Sequence, residues 1–253
     1  MNEPAPAAPT SRALSASAPK LSAAFEALKT YDYGSDRGAL LPIDEVVAAT
    51  LNEGASQKTL ESQLLDALRT CRSAVAAEYV CGKLVLVGSA VSAVELAKLL
   101  ADPQLSTAAR NALEAISGPS SSKALRTHLA KLSGAQKVGV INSLGAPRDP
   151  DSVSVLAAVM NKESPDVAGA AAAALGEIAT GKAAQALEKF LPQCPSMLRD
   201  QLADAVLICA ERLFAEGHKS QAQTLYQKLR DAPCAQRFKD AATQGLRACG
   251  RKP

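Results

Sequence analysis

The sequence contains no tryptophan, and aromatic residues make up only 3% of its 253 positions. A surface that stacks nucleic-acid bases needs several aromatic rings, so this scarcity disfavours that class of protein. Hydrophobic residues nevertheless account for 47% of the chain, and they are mostly Ala, Leu and Val. Because Ala and Leu are good helix formers, the composition predicts an all-α fold.

Groups that carry out catalysis or bind metals are also scarce. The chain has two histidines, His128 and His218, and its six cysteines form neither a C-x-x-C pair nor a histidine-rich ligand set. Neither histidine has a Ser, Cys or carboxylate placed predictably beside it for acid–base or nucleophilic chemistry. We therefore predict a protein that is not an enzyme, with no catalytic residue, cofactor or metal.

The cysteines fall into two groups. Cys81 and Cys209 lie within apolar helical runs, so they are predicted to be small buried side chains. Cys194, Cys234 and Cys249 lie near predicted helix ends, where a disulfide is possible and its pairing stays open.

Long apolar runs are missing as well. The most apolar stretch, residues 167–178, is short and made mostly of small residues, so no membrane span is predicted. The first twenty residues have no continuous apolar core and do not form a signal peptide. A complete chain would be soluble and cytoplasmic, whereas a chain that has lost a signal peptide would be exported; both alternatives stay open.

The charge is unevenly distributed along the chain. Residues 1–70 contain six basic and nine acidic residues, a net charge of −3, and residues 198–253 contain ten basic and six acidic residues, a net charge of +4. A mildly basic C-terminal part is weak evidence for an anionic partner, because a solvated helix surface produces the same count.

What the sequence does contain is a register of apolar residues that returns about every thirty positions. Self-similarity at this period is typical of helical hairpins that are stable only when stacked. The fold is therefore predicted to be an all-α, right-handed α-solenoid of stacked helical hairpins. Two columns of residues show the register: Leu96, Leu125, Leu156 and Leu187, and Leu100, Leu129, Met160 and Leu191.

The register divides the array into four copies, each with a first, inner helix and a second, outer helix. The first helix of copy one, residues 75–87, is apolar nearly all round and is expected to have neighbours on both sides. The first helices of the other copies are predicted to end at Ile116, Leu144 and Ile178. Copy three has a three-residue insertion around residues 146–148.

The whole chain is predicted to have four parts. Residues 1–19 form a disordered leader, 20–72 an N-terminal helical cap, 73–197 the repeats, and 198–253 a C-terminal hairpin with a capping helix over residues 237–249. In the N-terminal cap, a first helix is expected from about Leu21 to Tyr31. Gly34 and Ser35 then supply a left-handed stop and a helix cap, and Ser56 caps the third helix. Ser73 opens the repeats.

Four segments of the array have recognisable sequences: YVC…LVLVG (79–88), ARNAL (109–113), VGVINSLG (138–145) and AALGEI (173–178). With them, residues 75–192 resemble HEAT-like repeats of the short bacterial type, the group that includes phycobilisome-lyase-like repeats. The C-terminal part resembles a single tetratricopeptide-type hairpin, through Ala210, Gly217, Ala222, Tyr226, Leu229 and Pro233.

This resemblance implies a non-catalytic protein-interaction or scaffold module with a protein or peptide partner. The alternative is an accessory or regulatory subunit of an enzyme, or a factor similar to the bilin lyases of the repeat type. Nucleic-acid binding ranks below both, because it needs a basic column along the first helices that follows the phosphates. The residues six positions before the ends of the first helices are Cys81, Arg110, Val138 and Ala172. One of these four is basic, so no such column exists.

The first helices carry one polar spot, which is the candidate binding site. Arg110, Asn111 and Glu114 occupy positions that are mostly Ala, Gly or Val in the other copies, and Asn142 follows on the next copy. Such polar groups either satisfy one another or bind a ligand. The spacing of Arg110 and Glu114 predicts an ion pair, and a bound peptide would be expected on this inner face.

His128 is judged by the same alignment. The other copies have Leu99, Val159 and Phe190 at its position, which is therefore a mostly apolar column. We predict a partly buried, hydrogen-bonded histidine rather than a catalytic one, and a solvated His218 in a turn.

Overall fold

The computed structural model describes residues 10–51 and 53–250, with side chains described from residue 18 onward. Fourteen α-helices and several short 3-10 turns occur in this part of the chain, and it contains no strand. The all-α prediction is confirmed. The helices are α1 (Thr10–Lys29), α2 (Leu41–Thr50), α3 (Gly54–Thr70), α4 (Ala74–Val87), α5 (Ala90–Lys98), α6 (Ser106–Ala115), α7 (Pro119–Leu129), α8 (Gly134–Gly145), α9 (Val153–Lys162), α10 (Pro165–Ile178), α11 (Gly181–Phe190), α12 (Arg199–Ala215), α13 (Lys219–Asp231) and α14 (Gln236–Gly250).

The chain divides into two compact units, Met1–Ser121 (unit 1) and Ser122–Pro253 (unit 2). The division falls within α7, and therefore inside the predicted array of four copies. The four-part organisation inferred from the sequence stays a prediction. Among the described residues, no helix is both long enough and apolar enough to cross a membrane.

Helix α1 begins at Thr10, so the expected start at Leu21 is wrong. Residues 1–9 of the predicted leader lie outside the described residues, and its residues 10–19 form the first half of this helix. The physical reason is that Leu21, Ala24 and Leu28 are buried and anchor the helix. Each residue added to an anchored helix gains a backbone hydrogen bond, and Ala-rich sequence suits this extension.

Two predicted helix caps are also wrong. Gly34 has the expected left-handed conformation (φ 84°), but the cap after it is Asp36, whose side chain accepts a hydrogen bond from the Gly38 N–H at 2.9 Å. Ser35 instead accepts a hydrogen bond from the Asp32 N–H at 3.0 Å. Ser56 lies inside α3, because that helix already begins at Gly54.

In unit 1, α4 packs against α3 and α6, and α5 packs against α6. Ser73 caps α4 as predicted, since its side chain accepts a hydrogen bond from the Ala76 N–H at 3.0 Å. The core is formed by fully buried leucines from successive helices, Leu28, Leu64, Leu84, Leu96 and Leu113 among them. The stacked-helix interpretation therefore holds within this unit.

In unit 2, the helices form two layers. The first-helix layer contains α8, α10 and α12, and the second-helix layer contains α9, α11 and α13; α10 packs against α8, α9, α11 and α12. Helix α10 is buried along nearly its whole length because most of its residues are Ala or Gly, which let neighbouring helices approach closely. At Gly176, an added Cβ atom would lie 2.6 Å from the carbonyl oxygen of Ala205 in α12.

The apolar register is confirmed as the basis of the core, with one exception. Of the eight residues in its two columns, seven are fully buried. Leu191, the last one, is half-buried, because it lies in a 3-10 turn after α11 beside a surface groove.

The insertion in copy three forms a bend that ends in Arg148, whose backbone is left-handed (φ 54°). The Arg148 guanidinium pairs with Glu216 after α12 at 2.6 Å and donates to the carbonyl oxygen of Ile178, the last residue of α10, at 3.4 Å. The inserted residues thus place one cation at the ends of two neighbouring helices, where it satisfies partial negative charge.

The C-terminal helices are joined by a glycine turn and packed around a tyrosine. Between α12 and α13, Gly217 is left-handed (φ 86°), and the His218 N–H donates to the Leu213 carbonyl at 2.8 Å, which is a Schellman turn. Tyr226 of α13 is buried against Gly245 of α14, where an added Cβ would lie 2.4 Å from the ring. Residues 237–249 lie within α14, and their role as a capping helix stays a prediction.

Candidate binding surfaces

The predicted inner-face residues of unit 1 lie on α6. The Arg110 Nη1 and Glu114 Oε1 atoms are 3.7 Å apart, so the expected ion pair forms. Arg110 is half-buried, whereas Asn111 and Glu114 are exposed. The structure therefore brings these three side chains to one helix and leaves two of them accessible from solvent.

Asn142, the fourth predicted residue, lies on α8 in unit 2, and its side chain is exposed. Because this residue belongs to the other unit, the four-residue site stays a prediction.

The helix that packs against α6 carries an apolar feature that sequence reasoning missed. Helix α4 packs against α6, and its residues Val85 and Leu86 are 37% and 51% exposed. The expectation that α4 is enclosed on both sides is therefore wrong at its C-terminal end, because no described helix covers these two residues. Val85 and Glu114 occupy the same position of the repeat. Each lies two residues before the last apolar residue of the first helix in its copy.

Unit 1 also contains a dense polar cluster around Asp44 of α2. Its carboxylate accepts hydrogen bonds from the Tyr79 hydroxyl at 2.8 Å and Arg37 Nη2 at 2.8 Å, and it pairs with Lys83 Nζ at 2.7 Å. The Arg37 and Lys83 cations each lie 4.8 Å from the centre of the Tyr79 ring. Each group in the cluster therefore has partners within it.

The protonation states in this cluster suit a structural role. Burial alone would raise the pKa of Asp44, but the hydrogen bonds from Lys83, Tyr79 and Arg37 outweigh it and hold the pKa below its ordinary value. Burial and the neighbouring Asp44 carboxylate raise the pKa of Tyr79 well above its ordinary range. Tyr79 thus stays protonated at neutral pH, and the cluster joins α4 to α2 and the turn before it.

A second polar contact is buried. Glu61 of α3 is 4% exposed, and its carboxylate accepts hydrogen bonds from the Ser89 N–H at 2.7 Å, the Ser89 hydroxyl at 2.8 Å and the Ser92 hydroxyl. These donors surround the N-terminus of α5, where negative charge is favoured by the helix dipole. Glu61 therefore caps a helix from a neighbouring helix, and no local sequence pattern signals it.

The predicted surroundings of the two histidines are confirmed. His128 is half-buried, and its Nδ1 atom lies 2.9 Å from the carbonyl oxygen of Ala124 in the preceding turn of α7. His218 is exposed in the turn before α13.

Cys81 and Cys209 are fully buried as expected, and burial raises the pKa of each thiol to about 12. The other four cysteines are free as well, Cys194, Cys234 and Cys249 among them. In the described part of the chain, no three His, Cys, Asp or Glu side chains are grouped so that they could hold a metal ion.

Two grooves flank α11 on the second-helix layer of unit 2. The α11–α13 groove has a volume of about 660 Å³, with Leu191, Pro192, Ala232 and Pro233 as its apolar part and Lys189 on its rim. The α9–α11 groove is about 440 Å³ and more polar; Asp151, Asn161, Lys182, Gln185 and Lys189 are among the residues that line it. Neither groove follows from the apolar register, because each forms where two neighbouring second helices separate.

The stacked helices of unit 2 also match a known family. Residues 131–207, which cover α8 to α11 and part of α12, match the family model described as HEAT repeats. This segment therefore consists of HEAT repeats. The predicted repeat family is therefore confirmed for this HEAT segment, and arrays of such repeats form extended surfaces that bind other proteins. A comparison with curated proteins finds no match.

Proposed function

We propose that this HEAT-repeat protein is a non-catalytic protein-interaction or scaffold module that binds a protein or peptide through its inner face. The observation that supports the proposal is the exposure of Val85 and Leu86 on α4, next to the helix that carries Asn111 and Glu114. An apolar pair beside polar groups is typical of an interaction surface.

The two kinds of side chain would have different roles in binding. Fully burying a leucine side chain contributes about 1.5–3 kcal/mol, and Leu86, which is 51% exposed, can still supply about half of this as affinity. Exposed polar groups such as Asn111 and Glu114 contribute mainly to specificity, because a wrong partner leaves them unpaired. The ion pair with Arg110 holds Glu114 in place on α6.

The test compares inner-face and outer-helix variants in capture from lysate, followed by a binary titration with the captured protein. Leu86→Asp is expected to weaken binding at least tenfold and Asn111→Ala to weaken it less, while the circular dichroism spectrum of both variants stays unchanged. The matched control is Val94→Asp on α5, because Val94 is 63% exposed and lies on a second helix. Equal loss of binding in Leu86→Asp and Val94→Asp would contradict the inner-face proposal.

The remaining members of the predicted site are tested in the same titration. Arg110→Ala is expected to weaken binding by releasing Glu114, and Asn142→Ala tests whether the partner also reaches unit 2. If capture survives both changes, the four-residue site is wrong.

The identity of the captured protein separates this proposal from its alternatives. An enzyme whose activity changes on binding would place the chain among accessory subunits, and a co-purifying absorbing ligand would point to a factor similar to the bilin lyases. Retention of DNA or RNA that falls steeply with salt would instead favour a nucleic-acid-binding solenoid.

A further inference from the structure

Tyr33 is the most exposed large hydrophobic side chain in the described part of unit 1, at 96%. It lies in the turn of residues 32–36 after α1, and the turn is held by its own hydrogen bonds. The Ser35 N–H donates to the Asp32 carbonyl at 3.0 Å, and the Asp32 N–H donates to the Ser35 hydroxyl at 3.0 Å. A rigid turn that presents a tyrosine to solvent loses little entropy on binding, and tyrosine is enriched among the residues that dominate binding energy.

The same turn is acidic. Asp32 and Asp36 flank Tyr33, both are exposed, and their carboxylates accept hydrogen bonds from the backbone N–H groups of Tyr33 and Gly38. Neither carboxylate has an ion-pair partner among the described residues. The turn therefore combines an apolar ring with two carboxylates available to a cation.

The α11–α13 groove of unit 2 complements this turn, because it combines an apolar part with a cation on its rim. Its apolar part includes the half-buried Leu191, although the equivalent residues of the other three copies are fully buried. On its rim, Glu188 is paired with Lys228 at 3.3 Å and Asp231 with Arg230 at 3.0 Å. Lys189 is the rim cation that has no carboxylate partner within the described ranges. An acidic, aromatic segment fits this groove better than a basic one.

The net charges of two segments agree with this match, since the turn lies in the acidic one and the α13 side of the groove lies in the basic one. Residues 1–70 carry a net charge of −3, and residues 198–253 carry +4. When two parts of a chain that are far apart in sequence carry opposite charges, the N-terminal part of one molecule is attracted to the C-terminal part of another.

We propose that the Tyr33 turn of one molecule binds in the α11–α13 groove of a second copy of this chain. The tyrosine ring packs on Leu191, Pro192 and Pro233, and Asp32 and Asp36 face Lys189. Turn and groove are different surfaces, so the contact is heterologous and can join more than two molecules head to tail. The contact area is small, and the association is therefore weak and concentration-dependent.

Sedimentation velocity of the full chain over a range of concentrations tests the proposal at low and high salt. We expect the wild type to associate, with a dissociation constant that rises with salt as the charges are screened. Tyr33→Ala and Lys189→Glu should each weaken association roughly tenfold or more. Lys182→Glu is the matched control, because Lys182 is also exposed on α11 but lines the other groove; it should leave association unchanged.

Mixing the two defective variants gives the decisive result. Tyr33→Ala retains its groove and Lys189→Glu retains its turn, so the mixture should form a heterodimer at concentrations at which each variant alone is monomeric. Asp32→Lys should also restore association when it is combined with Lys189→Glu in one chain. A wild type that stays monomeric at every concentration, or a mixture that fails to associate, overturns the proposal. Leu86→Asp should leave self-association unchanged, which separates this result from the test of the proposed function.

Discussion

The two units hold their helices together in different ways, as one register position shows. Two residues before the end of the first helix, α4 has Val85, which is 37% exposed, and α10 has Gly176, which is buried beneath α12. In unit 2, α10 and α12 therefore approach until backbone meets backbone, although Asn142 at the same position of α8 is exposed. In unit 1 this position faces solvent, and important contacts between elements are made instead by the carboxylates Asp44 and Glu61.

One repeat pattern can therefore be stabilised by two kinds of interaction. Close contact between small residues is stabilised by dispersion and burial, which depend little on pH. Hydrogen bonds to carboxylates are lost when the carboxylate is protonated or removed. We therefore expect unit 2 to be sensitive to added volume and unit 1 to be sensitive to the loss of charge.

The largest expected effect is that of Gly176→Ala in unit 2. Alanine favours a helix over glycine by up to about 1 kcal/mol, but its Cβ would lie 2.6 Å from the Ala205 carbonyl oxygen. Because backbone must move to relieve this contact, we expect a net loss of about 1–3 kcal/mol in the free energy of unfolding. Urea denaturation followed by circular dichroism measures the change.

Gly82→Ala in α4 is the control for that comparison. Nothing lies within 4 Å of a Cβ atom added at Gly82, so the gain in helix propensity should stabilise unit 1 by up to about 1 kcal/mol. If the two substitutions change stability in the same direction, the contrast between the units is wrong.

Glu61→Ala is expected to have the next largest effect. The substitution leaves the Ser89 N–H and two serine hydroxyls near the start of α5 without their acceptor, and loss of a helix cap costs about 0.5–2 kcal/mol. Hydrogen exchange measured by mass spectrometry should show that the substitution speeds exchange in α5, relative to the wild type, more than it does in α10. Glu45→Ala is the control, because Glu45 is exposed on α2 and should change stability by less than about 0.5 kcal/mol.

These contrasts also separate the features that can be predicted from the sequence from those that cannot. Leu96, Leu125 and the rest of the register predict a stacked helical core because burial repeats with the helical period, and this part is confirmed. The contact between Glu61 and Ser89 joins residues 28 positions apart through packing alone, and periodicity carries no information about it.

The residues of the candidate sites also fall into a group that the sequence predicts and a group that it does not. The pairing of Arg110 with Glu114 was predictable, because it depends on spacing within one helix. Whether a neighbouring element covers an apolar residue depends on how the helices separate. For this reason the exposure of Leu86, and of Leu191 in its groove, became visible only in the structure.

Arg148 provides a smaller test, at the ends of the closely packed helices. Arg148→Ala removes the contacts with Glu216 and the Ile178 carbonyl and keeps the left-handed backbone, so we expect a loss of about 1 kcal/mol. Arg148→Gly loses the same contacts, but glycine adopts this backbone freely and should recover part of the loss. Thermal unfolding of the two variants measures the difference, and equal stability would argue against strain at this position.

The smallest expected effect is the pH dependence of unit 1 at Asp44. Its pKa lies below the ordinary value in the folded protein, because hydrogen bonds from Lys83, Tyr79 and Arg37 outweigh the effect of burial. Stability from this carboxylate is therefore complete above about pH 4, the unfolded pKa of an aspartate. It declines as the pH falls through the lower folded pKa. Hydrogen exchange between pH 3 and pH 6 should show α2 and α4 opening before α10 as the solution becomes more acidic.

Asp44→Asn separates this carboxylate from the other acidic residues. The amide retains an acceptor for Tyr79 but carries no charge for Arg37 and Lys83, so the variant should be less stable at pH 6. It should also approach the wild type as the pH falls. A constant difference between the two proteins across this range would show that Asp44 stabilises α4 by its shape and hydrogen bonds and not by its charge. The acid sensitivity of unit 1 would then have to come from other carboxylates.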